Sequence, residues 1–214
     1  TSHPNNKDRI RYTTDGAAVT DSSPLLTDGL LVTPGRVVRA RRMPTNALPG
    51  PETMLTVQDG RREPTYISIA GDPVALYNDT SGILAEGAAA NFSRSGPAWQ
   101  KPVLVELAFE DTNSVCPLGL AVAGSGSRSL PKRSFKLFAR DRFGSDGPIE
   151  LPGLGAWDEL LLRADASPHA LLRNLLAEEV ARSAGQHLDV QRSLVVPLFL
   201  NGNYQGLYRA MPPK

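Results

Sequence analysis

A glycine- and serine-rich stretch followed by basic residues is the first part of the sequence that could bind a ligand. Residues 124–127 read Gly-Ser-Gly-Ser, and Arg128, Lys132 and Lys136 follow at intervals of four. Backbone N–H groups in such a bend can surround an anion, and nearby cations can neutralise a phosphate. The stretch matches neither of the common phosphate-loop patterns. Taken alone, it favours a hairpin with solvated charges over a phosphate site.

A second pair of cations lies further along the chain. Arg163 ends an apolar run, and Arg173 lies early in a predicted helix. A cation in the first turns of a helix opposes the helix dipole, so Arg173 indicates a partner, either a carboxylate or a bound phosphate. An arginine that bridges loops is the alternative, and the residues by themselves somewhat favour it.

An aromatic-rich hairpin is the third candidate. Asn201-Gly202 predicts a type I′ turn between two strands. Gly206 leaves room for a close approach on one face of the returning strand. Tyr204 and Tyr208 are four residues apart, so a regular strand would place both rings on that face.

The composition excludes several classes of protein. The 214 residues include 23 Lys and Arg against 22 Asp and Glu, and this net charge of +1 argues against a nucleic-acid partner. The single cysteine, Cys116, cannot form an internal disulfide. No apolar run approaches the roughly 18 residues that a membrane-spanning helix needs, so no membrane span is expected.

Short alternating runs and turn pairs predict a chain built mainly of strands. The predicted strands cover residues 9–14, 30–32, 37–41, 54–57, 66–70, 103–109, 118–123, 134–140, a run ending at 163, 193–200 and 204–209. Residues 110–114 are expected to form a turn. In the strand 134–140, we expect Phe135 and Leu137 in the core and Lys136 on the opposite face.

One long helix is predicted over residues 168–184. Ser167 can cap its N-terminus, with Pro168 in the first helical position. Apolar residues recur there at spacings of three and four, namely Leu171, Leu172, Leu175, Leu176 and Val180. Gly185 is expected to end the helix.

The first segment, residues 1–58, resembles the small β-sandwich at the C-terminus of chitobiase and β-hexosaminidase-type proteins. The resemblance rests on residues 10–16, 37–41 and 53–57. It implies a small Ig-like β-sandwich that acts as an accessory spacer, although the leading strands of that module have no counterpart here. The polar stretch 59–64 marks the expected boundary with the second segment, residues 59–214.

The second segment resembles the amino-terminal part of the CotH (spore coat protein H) kinase-like family. The resemblance rests on four separated motifs in family order, at residues 124–137, 160–165, 172–177 and 198–208. It covers roughly residues 64–209. The implied fold class is α+β, with the Ig-like segment followed by a β-rich, atypical kinase-like N-terminal lobe that has one main helix.

The resemblance also implies a function. A complete domain would bind ATP and Mg and phosphorylate secreted or coat proteins, outside a bacterial cell or in its envelope. The candidate cofactor-binding residues are Arg128, Lys132, Lys136, Arg173 and Tyr204. The family's catalytic and magnesium-binding aspartates are expected beyond Lys214. No catalytic or metal-binding residue is therefore assigned here, and we expect these residues alone to be inactive.

One departure from the family keeps two rival functions open. Residues 209–214 contain no acid where the family has one soon after the tyrosine hairpin. The first rival is a non-catalytic surface or coat protein that uses the fold for protein contacts. The second is an accessory module of a glycan-active enzyme, which rests on the first segment only.

Overall fold

The computed structural model describes residues 9–45, 47–60, 63–88, 90–110, 112–166, 172–185 and 190–213. Within these ranges the chain forms mainly strands. The strands are β1 (Ile10–Thr13), β2 (Arg36–Arg42), β3 (Glu52–Val57), β4 (Tyr66–Gly71), β5 (Lys101–Phe109), β6 (Thr112–Ala123), β7 (Ser134–Phe138), β8 (Ile149–Leu151), β9 (Gly155–Trp157), β10 (Glu159–Arg163), β11 (Leu194–Leu200) and β12 (Asn203–Met211). The helices are α1 (Pro73–Tyr77) and α2 (Arg173–Ser183).

Seven strands close into a barrel in the order β10-β12-β11-β4-β5-β6-β7. The β11–β4 pair is parallel, and the other pairs are antiparallel. Alternate side chains of each strand point inward and form the main apolar core. Phe135 and Leu137 lie in this core, as expected, with 3% and 0% of their surface exposed. Lys136 therefore projects from the outside of the barrel.

The N-terminal strands β1, β2 and β3 form a three-stranded antiparallel sheet. Val37 and Met54 on its inner face pack against Ala70 and Leu104 on the outside of the barrel. The predicted Ig-like sandwich is not confirmed in the described part of the chain, because the barrel wall takes the place of a second sheet. A sheet with one apolar face has to bury it against another layer, and the barrel supplies that layer.

A buried carboxylate lies at the centre of this packed interface. Glu106 on β5 is 1% exposed and accepts hydrogen bonds from the backbone N and the Oγ1 of Thr56, at 3.2 and 2.8 Å. Ser68 pairs with Glu106 across the β4–β5 ladder, and its buried Oγ has no hydrogen-bond partner among the described residues. Thr56 therefore provides a polar link between the N-terminal sheet and the barrel.

The turn between β11 and β12 makes a second close contact with the N-terminal sheet. Asn201 and Gly202 both have positive φ, at 49° and 83°, which confirms the type I′ turn. A Cβ on Gly16 would lie 2.3 Å from Asn201 Oδ1, and one on Gly202 would lie 2.4 Å from the Arg36 carbonyl carbon. Neither glycine could therefore carry a side chain without separating the two layers.

Most predicted strands are present with shifted ends, but three predictions need correction. Residues 30–32 form no strand, and Leu31 is fully exposed, since β1 and β3 already occupy both sides of β2. The turn predicted over 110–114 is shorter, because β6 begins at Thr112. The β8–β9 hairpin was not predicted, because three-residue strands carry too little alternation to be recognised.

The predicted helix is present as α2, and it is the longest helix of the described residues. Residues 167–171, where its start was predicted, lie outside the described residues. Gly185 follows its end with a φ of 62°, as a helix-ending glycine should. None of its described side chains is buried, and Leu176 and Val180 are 59% and 67% exposed. No helix in the described ranges is both long and apolar enough to cross a membrane.

Candidate functional site

The outer face of strands β6, β7 and β10 forms the floor of a cleft. Lys136 on β7 lies between Ala121 of β6 and Leu161 of β10 in the strand register. Ser134 lies two residues earlier on the same face, and its Oγ accepts a hydrogen bond from the backbone N of Ala164. The small side chain of Ala121 leaves space above the sheet beside Lys136.

A cavity of about 440 Å³ lies where the β6–β7 loop meets this face and the start of α2. Its polar lining consists of Gly124, Ser125, Ser127, Lys132, Ser134, Arg163, Asp165, Arg173 and Asn174. Three of these side chains are cations and one is a carboxylate, so the cavity carries a net positive charge. Backbone and hydroxyl donors beside cations are suited to a phosphate or another multivalent anion.

Lys132 enters the cavity from the end of the glycine-serine loop. Its Nζ donates a hydrogen bond to the Leu207 carbonyl at 2.6 Å and lies 4.5 Å from the centroid of the Tyr208 ring. A Cβ on Gly206 would come within 3.4 Å of this ammonium, so Gly206 allows the close approach that the sequence predicted. Burial lowers the pKa of Lys132, and the nearby charge of Asp165 only partly opposes that effect.

Asp165 organises the opposite wall of the cavity. Its carboxylate accepts hydrogen bonds from Arg163 Nε at 2.8 Å and from Arg209 Nε at 2.5 Å. Asp165 adopts a φ of 45°, a left-handed conformation that turns the chain sharply after β10. Arg163 keeps 46% of its side chain exposed, so its remaining N–H groups are accessible to a ligand.

Arg209 lies behind this wall and is not itself exposed. Only 5% of its side chain is accessible, and its Nη1 also donates to Glu178 of α2 at 2.6 Å. Burial acts to lower the pKa of Arg209, but hydrogen bonds and charges from Asp165 and Glu178 outweigh it and raise the pKa. This buried cation therefore holds together the barrel, the chain after β10 and the helix α2.

Arg173 reaches the same cavity from the first turn of α2. Within the described ranges its guanidinium makes no hydrogen bond or ion pair, whereas the neighbouring Asn174 donates to Asp165 at 3.4 Å. The sequence indicated that Arg173 has either a carboxylate or a phosphate as its partner. No carboxylate of the described residues takes that position, so the guanidinium remains available to a ligand.

Arg128 and Lys136 line a neighbouring cavity of about 530 Å³, which shares Gly124 and Arg163 with the first. The guanidinium of Arg128 donates to the carbonyl oxygens of Gly124, Ser93 and Arg94, at 2.5, 3.1 and 2.8 Å. Arg128 therefore holds the glycine-serine loop in position and has little capacity left for a ligand.

Lys136 is paired with a carboxylate on the outside of the barrel. Its Nζ lies 3.1 Å from Glu159 Oε2, and Arg140 lies 2.5 Å from Glu159 Oε1. Burial acts to raise the pKa of Glu159, but hydrogen bonds and charges from Lys136 and Arg140 prevail and lower the pKa. Lys136 would have to leave this pair, or share it, to bind a phosphate.

Tyr204 lies apart from these cations. A β-bulge between Leu198 and Phe199 shifts the register of the β11–β12 pair, so that Tyr204 faces outward against Phe199. Tyr208 points into the barrel core and is 2% exposed. The prediction that the two tyrosines share a face is therefore wrong, because it assumed a regular strand.

The residues that line the first cavity do not fit a magnesium site. Asp165 is the only carboxylate in the lining, and two arginines already bind it. Elsewhere in the described ranges, no group of three or more His, Cys, Asp or Glu side chains is close enough to hold a metal ion. Magnesium prefers several oxygen ligands, so we assign no metal-binding role to these residues.

The candidate residues chosen from the sequence omitted two members of the cavity. Arg163 had been noted only as a cation at a strand end, and Asp165 had no assigned role. Arg163 and Asp165 are separated by one residue and come directly after an apolar strand. This pattern could have indicated a charged turn at a sheet edge. Among the five candidates, the structure brings Lys132 and Arg173 together in one cavity.

The barrel and its cationic cavity thus define a β-rich module with one main helix and a cavity of net positive charge. A family model described as CotH kinase protein matches residues 120–212. This part of the chain is therefore similar to the CotH kinase family, as its motifs predicted, and it contains every charged residue of the cavity. No curated protein matches the chain.

Proposed function

We propose that this chain is the ATP-binding part of a CotH-type protein kinase that acts on secreted or coat proteins outside the cell or in the cell envelope. The observation that carries the proposal is the cavity in which Lys132, Arg163 and Arg173 converge beside the Gly124–Ser127 loop. Three cations from three different elements, with one carboxylate already engaged, form a site for a highly charged anion. The family description, which names a kinase, supports ATP as that anion.

In this proposal the residues of the cavity bind and orient the phosphates. Lys132 and Arg173 neutralise phosphate oxygens, and Arg163 adds directional N–H donors while Asp165 fixes its orientation. Phosphoryl transfer depends mainly on charge neutralisation and positioning, so such residues can contribute without forming a covalent bond. The neighbouring cavity, with Ala121 and Leu161 in its lining, offers an apolar surface for the base.

Calorimetric titration with ATP, inorganic triphosphate and adenosine tests the proposal. We expect ATP and triphosphate to bind, and Lys132→Ala or Arg173→Ala to weaken both by about 1–3 kcal/mol, the range for losing a charge-assisted hydrogen bond. Lys101→Ala is the matched control, because Lys101 lies over the Trp99 ring and not in the cavity. Equal affinities in all variants, with the fold intact, would support a non-catalytic surface protein instead.

A further inference from the structure

A second cavity, of about 320 Å³, lies where the N-terminal sheet meets the barrel. Its lining includes Gly35, Asp59, Glu63, Phe199, Asn203 and Tyr204. We propose that this cavity binds the side chain of a lysine or arginine from a partner polypeptide. The site is separate from the anion-binding cavity and does not depend on the function proposed above.

The aromatic floor of the cavity is held in place by packing. Tyr204 is 46% exposed, and its ring rests on Phe199 with 5.5 Å between ring centroids. Phe199 is 3% exposed and packs edge-on against Tyr66 at 5.6 Å. The β-bulge described above turns Tyr204 outward, so the chain presents an aromatic face to the solvent on a rigid support.

The acidic wall is also fixed by the backbone. Gln58 makes two hydrogen bonds with the Glu63 backbone: its Nε2 donates to the Glu63 carbonyl at 3.1 Å, and its Oε1 accepts from the Glu63 N at 2.7 Å. These bonds hold the Glu63 backbone against Gln58, the residue that precedes Asp59. Both carboxylates border the cavity beside this pair of hydrogen bonds.

Charge determines which ligand this cavity favours. Asp59 and Glu63 are the charged residues that line this cavity, and both are acidic. Arg61 and Arg62, which lie between them in sequence, are outside the described residues. An aromatic ring beside two carboxylates attracts a cation through both the ring quadrupole and the charges.

The volume of the cavity limits the size of the ligand. A cavity of about 320 Å³ is at the lower end of the 300–1,000 Å³ range of ligand pockets, so it suits one side chain better than a large cofactor. A lysine or arginine can lay its apolar stem along the Tyr204 ring and keep its charged end at the carboxylates. A neutral sugar, which could stack on the same ring, is the alternative that the experiment must separate.

The test is an NMR titration of the isotope-labelled chain with Nα-acetyl-lysine amide and Nα-acetyl-arginine amide. We expect saturable shifts at the Gly35, Asn203 and Tyr204 amides, and none at Gly124. Nα-acetyl-norleucine amide, which has the stem without the charge, should bind at least fivefold more weakly. Raising the salt concentration should weaken the binding of both cationic probes, because the attraction is partly electrostatic.

Variants identify the residues responsible. Tyr204→Ala should weaken binding at least fivefold, whereas Tyr204→Phe retains the ring and should change it less than twofold. The double variant with Asp59→Asn and Glu63→Gln keeps the side-chain shapes, and it should also bind the cationic probes at least fivefold more weakly. Amide shifts in the barrel core, which all variants should share with the wild type, show whether each variant is folded.

Four results would overturn the proposal. Equal binding of norleucine and lysine amides would mean that charge is not recognised. Shifts at these amides with N-acetylglucosamine but not with the cationic probes would assign the cavity to a sugar. Absence of binding by the wild type, with binding by the variant that combines Arg61→Gln and Arg62→Gln, would show that the chain's own arginines fill the cavity. Absence of binding in both proteins would exclude the site altogether.

Discussion

Asp165 accepts a hydrogen bond from the buried guanidinium of Arg209, with 2.5 Å between Asp165 Oδ2 and Arg209 Nε. Asp165 also binds Arg163 in the cavity wall, and Arg209 also binds Glu178 of α2. The Asp165–Arg209 pair therefore links the cavity wall to α2. Because α2 buries none of its described side chains, polar contacts account for much of its attachment to the barrel. This relationship leads to the first prediction.

We predict that Asp165→Ala lowers the free energy of unfolding by about 3–5 kcal/mol, because it removes one partner of a buried charge. Asp165→Asn should lower the free energy of unfolding by less, since asparagine tolerates the left-handed backbone and can still accept a hydrogen bond. Urea unfolding measures both variants. Asp141→Ala, an exposed position in a short turn, is the control and should change little. Equal losses for Ala and Asn at position 165 would contradict the role of the hydrogen bond.

The lowered pKa of Lys132 predicts how anion binding depends on pH. Burial disfavours the ammonium, so Lys132 loses its proton below the value of 10.5 for an exposed lysine. Because phosphate binding needs the charge, affinity for inorganic triphosphate should fall as the pH rises through the folded-state pKa. Lys132→Arg should retain its affinity at the same alkaline pH. An identical pH profile for the two proteins would remove Lys132 from the anion site.

Deprotonation of Lys132, which should weaken anion binding, should increase the stability of the protein without ligand. The folded state disfavours charged Lys132, and this penalty disappears as Lys132 is deprotonated. Between the folded-state pKa and the unfolded value of 10.5, the free energy of unfolding without ligand should therefore rise with pH, relative to Lys132→Arg. Paired urea titrations of the two proteins measure the difference. A ligand-free difference that falls with pH would contradict the assigned direction of the shift.

The lowered pKa of Glu159 predicts that the protein loses stability in acid. Although burial acts to raise its pKa, Lys136 and Arg140 lower it below the ordinary value of 4.5. The unfolded state then takes up the proton first, so the contribution of Glu159 is present above pH 4.5 and is lost as the pH falls through the folded-state pKa. Unfolding free energies of Glu159→Gln should show a weaker acid dependence than the wild type. Glu150→Gln, an exposed glutamate, serves as the control.

The contact between Thr56 and Glu106 predicts how firmly the N-terminal sheet is attached. Thr56→Val keeps the shape but removes the Oγ1 donor from a buried carboxylate, so it should cost about 1–3 kcal/mol. Thr53→Val, at an exposed position of the same strand, should cost little. Urea unfolding followed by circular dichroism compares the two variants. Equal stability of both would mean that the interface does not depend on this hydrogen bond.

We also predict that this chain alone transfers no phosphate from ATP. The cavity supplies cations, while its one carboxylate is engaged by two arginines and is not free to hold a metal ion or accept a proton. Incubation with labelled ATP, magnesium or manganese and a general protein substrate should give no label above the blank. Saturable transfer that depends on Lys132 would contradict this prediction.

The sequence by itself determined the elements whose pattern is local. Alternation predicted the core-facing Phe135 and Leu137, and Asn201-Gly202 predicted its turn, because both depend on neighbouring residues only. The order of the motifs indicated the family that residues 120–212 match. The same local rules failed for Tyr204 and Tyr208, because a β-bulge in the strand pairing reverses one of the two faces.

Tertiary structure decided which of the predicted cations meet. Lys132 and Arg173 are 41 positions apart and share a cavity only because the barrel closes and α2 lies beside its open face. Arg128 and Lys136 have the same charge and lie in the same segment, yet loop carbonyls and Glu159 engage them. Spacing along a chain cannot show which carboxylate or carbonyl comes within hydrogen-bond distance, because that depends on strand register and barrel closure. The N-terminal sheet likewise packs against the barrel wall and not against a second sheet. No local sequence pattern specifies this packing partner.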